Sequence, residues 1–269
     1  MKRRLLPLLL ALLSALPLGA QVYDVIDEIS LDTRMTFHQQ TTQGEYRSHF
    51  QGDYFNLHIK GSIGERVSFR VRQRFNKGID AQNPFNATDL LYLKWQCSPK
   101  FAVTAGKNAI LIGGYEIDSA PIDVYYYGAF SNRLSQYYAF GVNATWTPVE
   151  GQDVILQFVP SPISPSTQNR YSYNLYWNGS FTPWWKTIWS FNLVEDEYGR
   201  KMNWLVFGNK FHTDNFFVDV DFINRASIHQ SRYLFSDWSL IGKAIWTVGK
   251  WNLCTKVGYE QNDSSNVDG

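Results

Sequence analysis

The sequence predicts an all-β protein, and within that class a transmembrane antiparallel β-barrel with about thirteen strands present. Three observations predict it. Hydropathy alternates with period two along nearly the whole chain after residue 20. The alternating segments run to roughly ten residues, the length a tilted strand needs to cross a bilayer, whereas strands of soluble sheets are nearer five or six. The connections alternate between short and long, as a barrel with one turn rim and one loop rim requires.

Composition agrees. Of 269 residues, 16% are aromatic and 18% charged. A mean hydropathy of −0.30 excludes a bundle of apolar transmembrane helices. Lys+Arg 25 against Asp+Glu 24 gives a net charge of +1, so no nucleic-acid partner is expected. Two cysteines exclude a disulfide scaffold, and Cys97 and Cys254 are expected as free thiols.

Residues 1–20 have a basic start (Lys2, Arg3, Arg4), an apolar run over 5–18 and the small pair Gly19–Ala20. This is a secretory signal peptide cleaved before Gln21, and it implies an exported chain. Residues 21–269 are then the barrel. The first two strands are expected at 30–40 and 52–60. In the third, 66–76, Val67, Phe69, Val71, Gln73 and Phe75 fall on one face and Arg66, Ser68, Arg70, Arg72 and Arg74 on the other. Strands at 89–96 and 101–108 follow. At 136–147, Tyr138, Phe140, Val142, Ala144 and Trp146 alternate with Ala139, Gly141, Asn143 and Thr145. After 153–159, the strand at 170–181 sets Tyr171, Tyr173, Leu175, Trp177 and Phe181 against Ser172, Asn174, Asn178 and Ser180. Strands at 185–194, 201–211 and 215–223 precede 237–247, where Trp238, Leu240, Ala244 and Trp246 share a face. The last, 251–260, sets Trp251, Leu253, Val257 and Tyr259 against Asn252, Lys256 and Glu260. The short connections are 61–65, 97–100, 148–152, 182–184, 212–214 and 248–250. The long ones are 41–51, 77–88, 109–135, 160–169, 195–200 and 224–236. Tryptophans near strand ends (Trp95, Trp146, Trp184, Trp185, Trp204, Trp238, Trp246, Trp251) suit two interfacial girdles.

The stretch from Arg66 to Phe75, then Asp89 to Trp95, the turn at Ser98–Pro99 and Phe101 to Lys107 resemble the early strands of the phosphate-selective porin O and P family. The resemblance implies a sixteen-stranded bacterial outer-membrane barrel, a homotrimer, and a long third loop folded into the pore. Residues 109–135 occupy that loop's place. An odd strand count and a polar end at 261–269 then imply a chain lacking its C-terminal strands, since single-chain bacterial barrels are even.

Function is expected on the inward face. Arginine at mid-depth on the lipid face costs roughly 2–4 kcal/mol, so Arg66, Arg70, Arg72 and Arg74 must line the lumen. Lys60 and Lys94 share their parity. Together they form a basic, anion-attracting wall. In the alternative, these cations pair with Asp53, Asp89, Glu116, Asp118 or Asp123 and are structural. The third loop supplies a constriction: Glu116, Asp118, Asp123, Tyr125, Tyr127 and Arg133. The resemblance implies phosphate selectivity in some members, through arginines and a lysine deep in the pore. The long loops here carry no dense lysine cluster, so a weakly anion-selective diffusion pore for small hydrophilic solutes is expected. Its surroundings are outer-membrane lipid.

No catalytic signature is present. His38, His49, His58, His212 and His229 are scattered, and neither GxSxG nor HExxH occurs, so no enzyme, cofactor or metal is expected. His38 and His58 are expected as neighbours across the first hairpin. A soluble secreted carbohydrate-binding β protein and a plugged, non-conducting barrel are the alternatives to a pore.

Overall fold

Among the described residues thirteen strands pair in strict sequence order, each antiparallel to the next. The computed structural model describes residues 25–120, 123–124, 126–132 and 134–263. The strands are β1 (Ile26–Thr42), β2 (Glu45–Ile63), β3 (Val67–Arg74), β4 (Thr88–Ser98), β5 (Phe101–Ala109), β6 (Tyr138–Val149), β7 (Gln152–Pro160), β8 (Tyr171–Thr182), β9 (Trp185–Glu195), β10 (Lys201–His212), β11 (Phe216–Ser227), β12 (Asp237–Val248) and β13 (Trp251–Gln261). Among the described residues of the β5–β6 connection are two single-turn helices, α1 (Tyr115–Asp118) and α2 (Ala129–Asn132). Every strand read from the sequence is present. The leader, residues 1–20, lies outside the described residues.

At one rim every connection is a turn of two or three residues: 64–66, 99–100, 150–151, 183–184, 213–215 and 249–250. At the other rim lie 75–87, 110–137, 161–170, 196–200 and 228–236. One expected long loop is absent. Residues 41–51 belong to the β1–β2 ladder, which pairs as far as Thr42↔Glu45. Gln43 (φ 52°) and Gly44 (φ 85°) close it in the left-handed conformation that matches strand twist in a two-residue hairpin. Alternation of apolar and polar residues marks a strand only where one face is dry. Past the end of β3 this hairpin has polar residues on its inner side, so its sequence resembled a loop.

Period two separates two faces. The outer one carries Leu93, Val142, Leu156, Leu175, Phe191, Leu253 and Val257, all exposed. Trp95, Trp146, Trp184, Trp246 and Trp251 ring its short-turn end. Towards the long loops the pairs Phe85–Phe140, Phe158–Tyr171 and Trp238–Tyr259 pack with ring centroids 4.9–5.3 Å apart. So broad an exposed apolar belt is unsuited to water and suited to acyl chains. Trp204 does not join the girdle. It is 2% exposed on the inner face and packs edge-on against Phe130 at 5.2 Å.

The inner face is covered by the 110–137 segment. Ile110, Ile112, Phe130 and Leu134 of that segment bury against Val159, Val194, Val206, Ile223 and Ile241 of the wall. The sheet curls around the segment: Arg34 Nη1 of β1 reaches the Val124 carbonyl at 3.5 Å, and Lys256 of β13 reaches Glu116 and the Tyr126 carbonyl. Among the described residues β1 and β13 do not pair with each other, so the sheet is curled but open. No helix of the described residues is long and apolar enough to cross a membrane.

Candidate functional site

A row of amides on the inner wall holds the folded-in segment. Register sets Asn143 opposite Gln157, Gln157 opposite Asn174, and Asn174 opposite Asn192. Asn174 Nδ2 donates to Gln157 Oε1 at 2.8 Å, and Asn192 Nδ2 donates to Asn174 Oδ1 at 2.9 Å. The row then grips the segment's backbone. Gln157 Nε2 donates to the Ala109 carbonyl (2.9 Å), Gln157 Oε1 accepts from Leu111 N–H (2.7 Å), and Asn192 Nδ2 donates to the Leu111 carbonyl (2.8 Å). Gly113 N–H donates to Ser190 Oγ at 2.8 Å. Backbone groups of an irregular segment inside a barrel need such partners.

The next anchor is Asp221 on β11. Its two oxygens accept the Tyr115 and Glu116 N–H groups, each at 2.8 Å. The approach is close because Gly114 (φ 100°) has no side chain. A Cβ there would lie 3.3 Å from the Asp221 carboxyl and in a conformation that favours glycine. Gly208 of β10 is tighter still: a Cβ would sit 2.9 Å from Asp221 Oδ1, Gly114 Cα and the Ile188 carbonyl.

Between this segment and β11–β13 lies a cavity of about 320 Å³. Tyr115, Glu116 and Asp123 line it from the segment, and Asp219, Lys243 and Lys256 from the wall. Asp219, Lys243 and Lys256 belong to a cross-strand row that runs on past the cavity: Lys186↔Lys210, Lys210↔Asp219, Asp219↔Lys243 and Lys243↔Lys256. Sequence reasoning missed this row. Each strand gives the row a single lysine, and only register unites them. Glu116, buried, accepts from Gly128 N–H at 2.8 Å, from the Ser131 hydroxyl and from Lys256. Lys210 Nζ lies 3.4 Å from Asp219 Oδ1 and 4.3 Å from the Tyr115 ring centroid. Burial pushes the Asp118 carboxyl above its ordinary range, against the pull of Lys210 and of the Tyr176 hydroxyl. Burial also raises the phenols of Tyr115, Tyr127 and Tyr137, and the Tyr137 hydroxyl donates to the Ser131 carbonyl.

The arginines of β3 face the same interior. Lys60 stands opposite Arg70, Ser68 opposite Lys94, and Arg72 opposite His58. Their environments differ. Arg72 and Arg74 converge on one carboxylate, with both Nε atoms on Asp89 Oδ2 at 3.1 and 2.7 Å. Arg72 also lies 4.6 Å above the Tyr138 ring. Lys60 pairs with Glu28 at 2.7 Å, whereas Arg70 and Lys94 have no ion pair among the described residues. Arg66 leaves the ladder: it sits exposed in the 64–66 turn, just before β3 begins. The pairing alternative therefore holds for Arg72 and Arg74 through Asp89. Asp53 pairs instead with Arg34 at 3.2 Å, and Glu116 with Lys256. Asp123 is exposed on the cavity, and Tyr127 carries a carbonyl that accepts from Asn132 Nδ2 at 3.0 Å. Tyr125 and Arg133 lie outside the described residues. His38 does not neighbour His58: the register sets it opposite His49, and His58 pairs with Asp32 at 2.8 Å. Cys97 and Cys254 are free thiols.

The model of the family described as phosphate-selective porin O and P matches residues 31–187, more than half of the chain. Among solved structures, a Rhodopseudomonas blastica porin carrying three substitutions is similar, with 14% identity and a TM-score of 0.50. The match covers 88% of this chain and 86% of that one. A variant of the same porin with five substitutions matches at 13% identity over the same shares, with a TM-score of 0.49. At these identities the likeness concerns the fold alone. No curated protein matches the chain.

Proposed function

The chain belongs to the phosphate-selective porin O and P family, and from that membership we propose that it forms a water-filled outer-membrane channel for passive diffusion of small hydrophilic solutes, with weak anion selectivity. Phosphate-type anions are among its solutes. In this reading the exported chain loses residues 1–20, enters outer-membrane lipid and assembles as a homotrimer. No catalytic role is proposed.

One observation supports the anion preference. Asp89 and Asp221 on the wall and Glu116 on the folded-in segment are each engaged, by Arg72 and Arg74, by two backbone N–H groups, and by Lys256 respectively, which leaves Asp123 as the exposed acid of the cavity among the described residues. Arg70, Lys94, Lys186 and Lys243 have no ion pair among the described residues. Two of these cations are on the arginine wall and two are on the lysine row. A hydrated passage between such walls attracts anions without binding them tightly.

Reversal potentials in planar bilayers under a potassium chloride gradient test this. The wild type should prefer chloride, and Arg70→Glu combined with Lys243→Glu should weaken or invert the preference. Both positions lack an ion pair, so the change alters charge without breaking an existing bridge. Unchanged selectivity would refute the charge-surplus reading, and a folded protein without conductance steps would favour a plugged barrel.

A further inference from the structure

Two of the chain's five histidines face each other on the long β1–β2 hairpin. His38 and His49 are directly opposed in the antiparallel register, and both are exposed. Their ring centroids are 5.2 Å apart and the rings lie within 15° of parallel. By parity the pair continues the polar face that carries Arg34 and Thr36.

Each ring has one nitrogen occupied and one open. His49 Nε2 lies 3.4 Å from Gln51 Oε1. An amide oxygen only accepts, so Nε2 donates and the neutral ring keeps its lone pair on Nδ1. His38 Nε2 lies 2.8 Å from the Thr36 hydroxyl, which can accept in the same sense. Neither Nδ1 has a hydrogen-bond partner among the described residues.

We propose that this pair is a transition-metal site, in which His38 and His49 give their Nδ1 atoms to one divalent ion of the zinc, nickel and copper class. Imidazole nitrogen suits those ions. Ligating histidines characteristically hydrogen-bond through the other ring nitrogen to an acceptor, a part the Thr36 and Gln51 side chains can take up as the rings turn. Opposed residues in an antiparallel pair hold their Cβ atoms about 4.5–5.5 Å apart, so the backbone already sets the span. Metal–nitrogen bonds of about 2.0–2.1 Å require the ring nitrogens to turn towards each other. That turn is about χ2, a torsion with broad wells in histidine. Among the described residues no group of three or more His, Cys, Asp or Glu could hold a metal. Water therefore fills the remaining positions, and the site is an exchangeable one on the long-loop side of the sheet.

The test uses the full chain, folded in detergent without an affinity tag. Calorimetric titration with Ni²⁺ should give one ion per chain. His38→Asn and His49→Asn should each weaken binding about tenfold or more, while His229→Asn should leave it unchanged. Ca²⁺, which takes oxygen ligands, should not compete. Electron paramagnetic resonance of the Cu²⁺-loaded wild type should show two imidazole nitrogens, a readout independent of any variant. Absence of Ni²⁺ binding, undiminished binding in His38→Asn or His49→Asn, or a Cu²⁺ spectrum with fewer than two imidazole nitrogens would overturn the proposal.

Discussion

Arg72 and Arg74 share the single carboxylate of Asp89, and Arg72 and Asp89 are both almost fully buried. Two guanidiniums on one acid leave a local positive surplus, yet removing the acid would leave the buried Arg72 and the half-buried Arg74 uncompensated. Breaking a buried pair from one side costs about 3–5 kcal/mol. Asp89→Asn should therefore lower the temperature at which the folded band is lost in heat-modifiability gels. A variant as heat-resistant as the wild type would show that solvent already screens these charges. The parity of the arginines was legible in the sequence, because an arginine cannot face lipid cheaply. Their division into paired Arg72 and Arg74 and unpaired Arg70 was not. It depends on where Asp89 falls in the β3–β4 register, which contains a bulge between Arg72 and Gln73.

At the scale of elements, the β5–β6 connection is a folded part of the wall rather than a loose loop. The amide row and Asp221 fix its backbone at 109–116, and Glu116 ties it to β13 through Lys256. Gly208 leaves the room for this docking. Gly208→Ala would place a methyl 2.9 Å from backbone atoms on two sides, where no flexible side chain can give way. The expected outcome is a displaced segment, seen as altered single-channel conductance with more current noise, and a stability loss of about 1–3 kcal/mol. Unchanged traces would mean that the segment does not border the conducting path. The place and length of this connection were legible in the sequence, and so were Asn143 and Asn174 as inward-facing polar residues. In the sequence Gly113–Gly114 is only a lone glycine pair in a loop and carries no signal. Its role appears only against Ser190 and Asp221, which lie about eighty and over a hundred residues away in the chain.

At the scale of the whole molecule, the decisive feature is an apolar belt on the outside of a polar interior. Leu156 lies in that belt, 60% exposed. On a soluble protein a charge there would be harmless. In lipid, Leu156→Arg should cost up to about 2–4 kcal/mol, depending on depth. Folding yield into phospholipid vesicles should fall accordingly. An unaffected yield would favour the soluble, carbohydrate-binding alternative.

Thirteen strands, two faces and a short-turn rim follow from the order of residues alone, because strand period and turn chemistry are local. A lipid-facing side chain must be apolar whatever its neighbours. Strand pairing and tertiary packing decided the rest. The 41–51 segment became hairpin because its partner strand was present, not because its composition demanded it. Trp204 shares the inward parity of Val206 and Lys210, and the distant Phe130 buries it there. The row of Lys186, Lys210, Lys243 and Lys256 exists only through register across five strands. Parity is a property of one strand and can be read from it. Charge constellations join several strands, and their geometry is set by pairings that no single segment encodes.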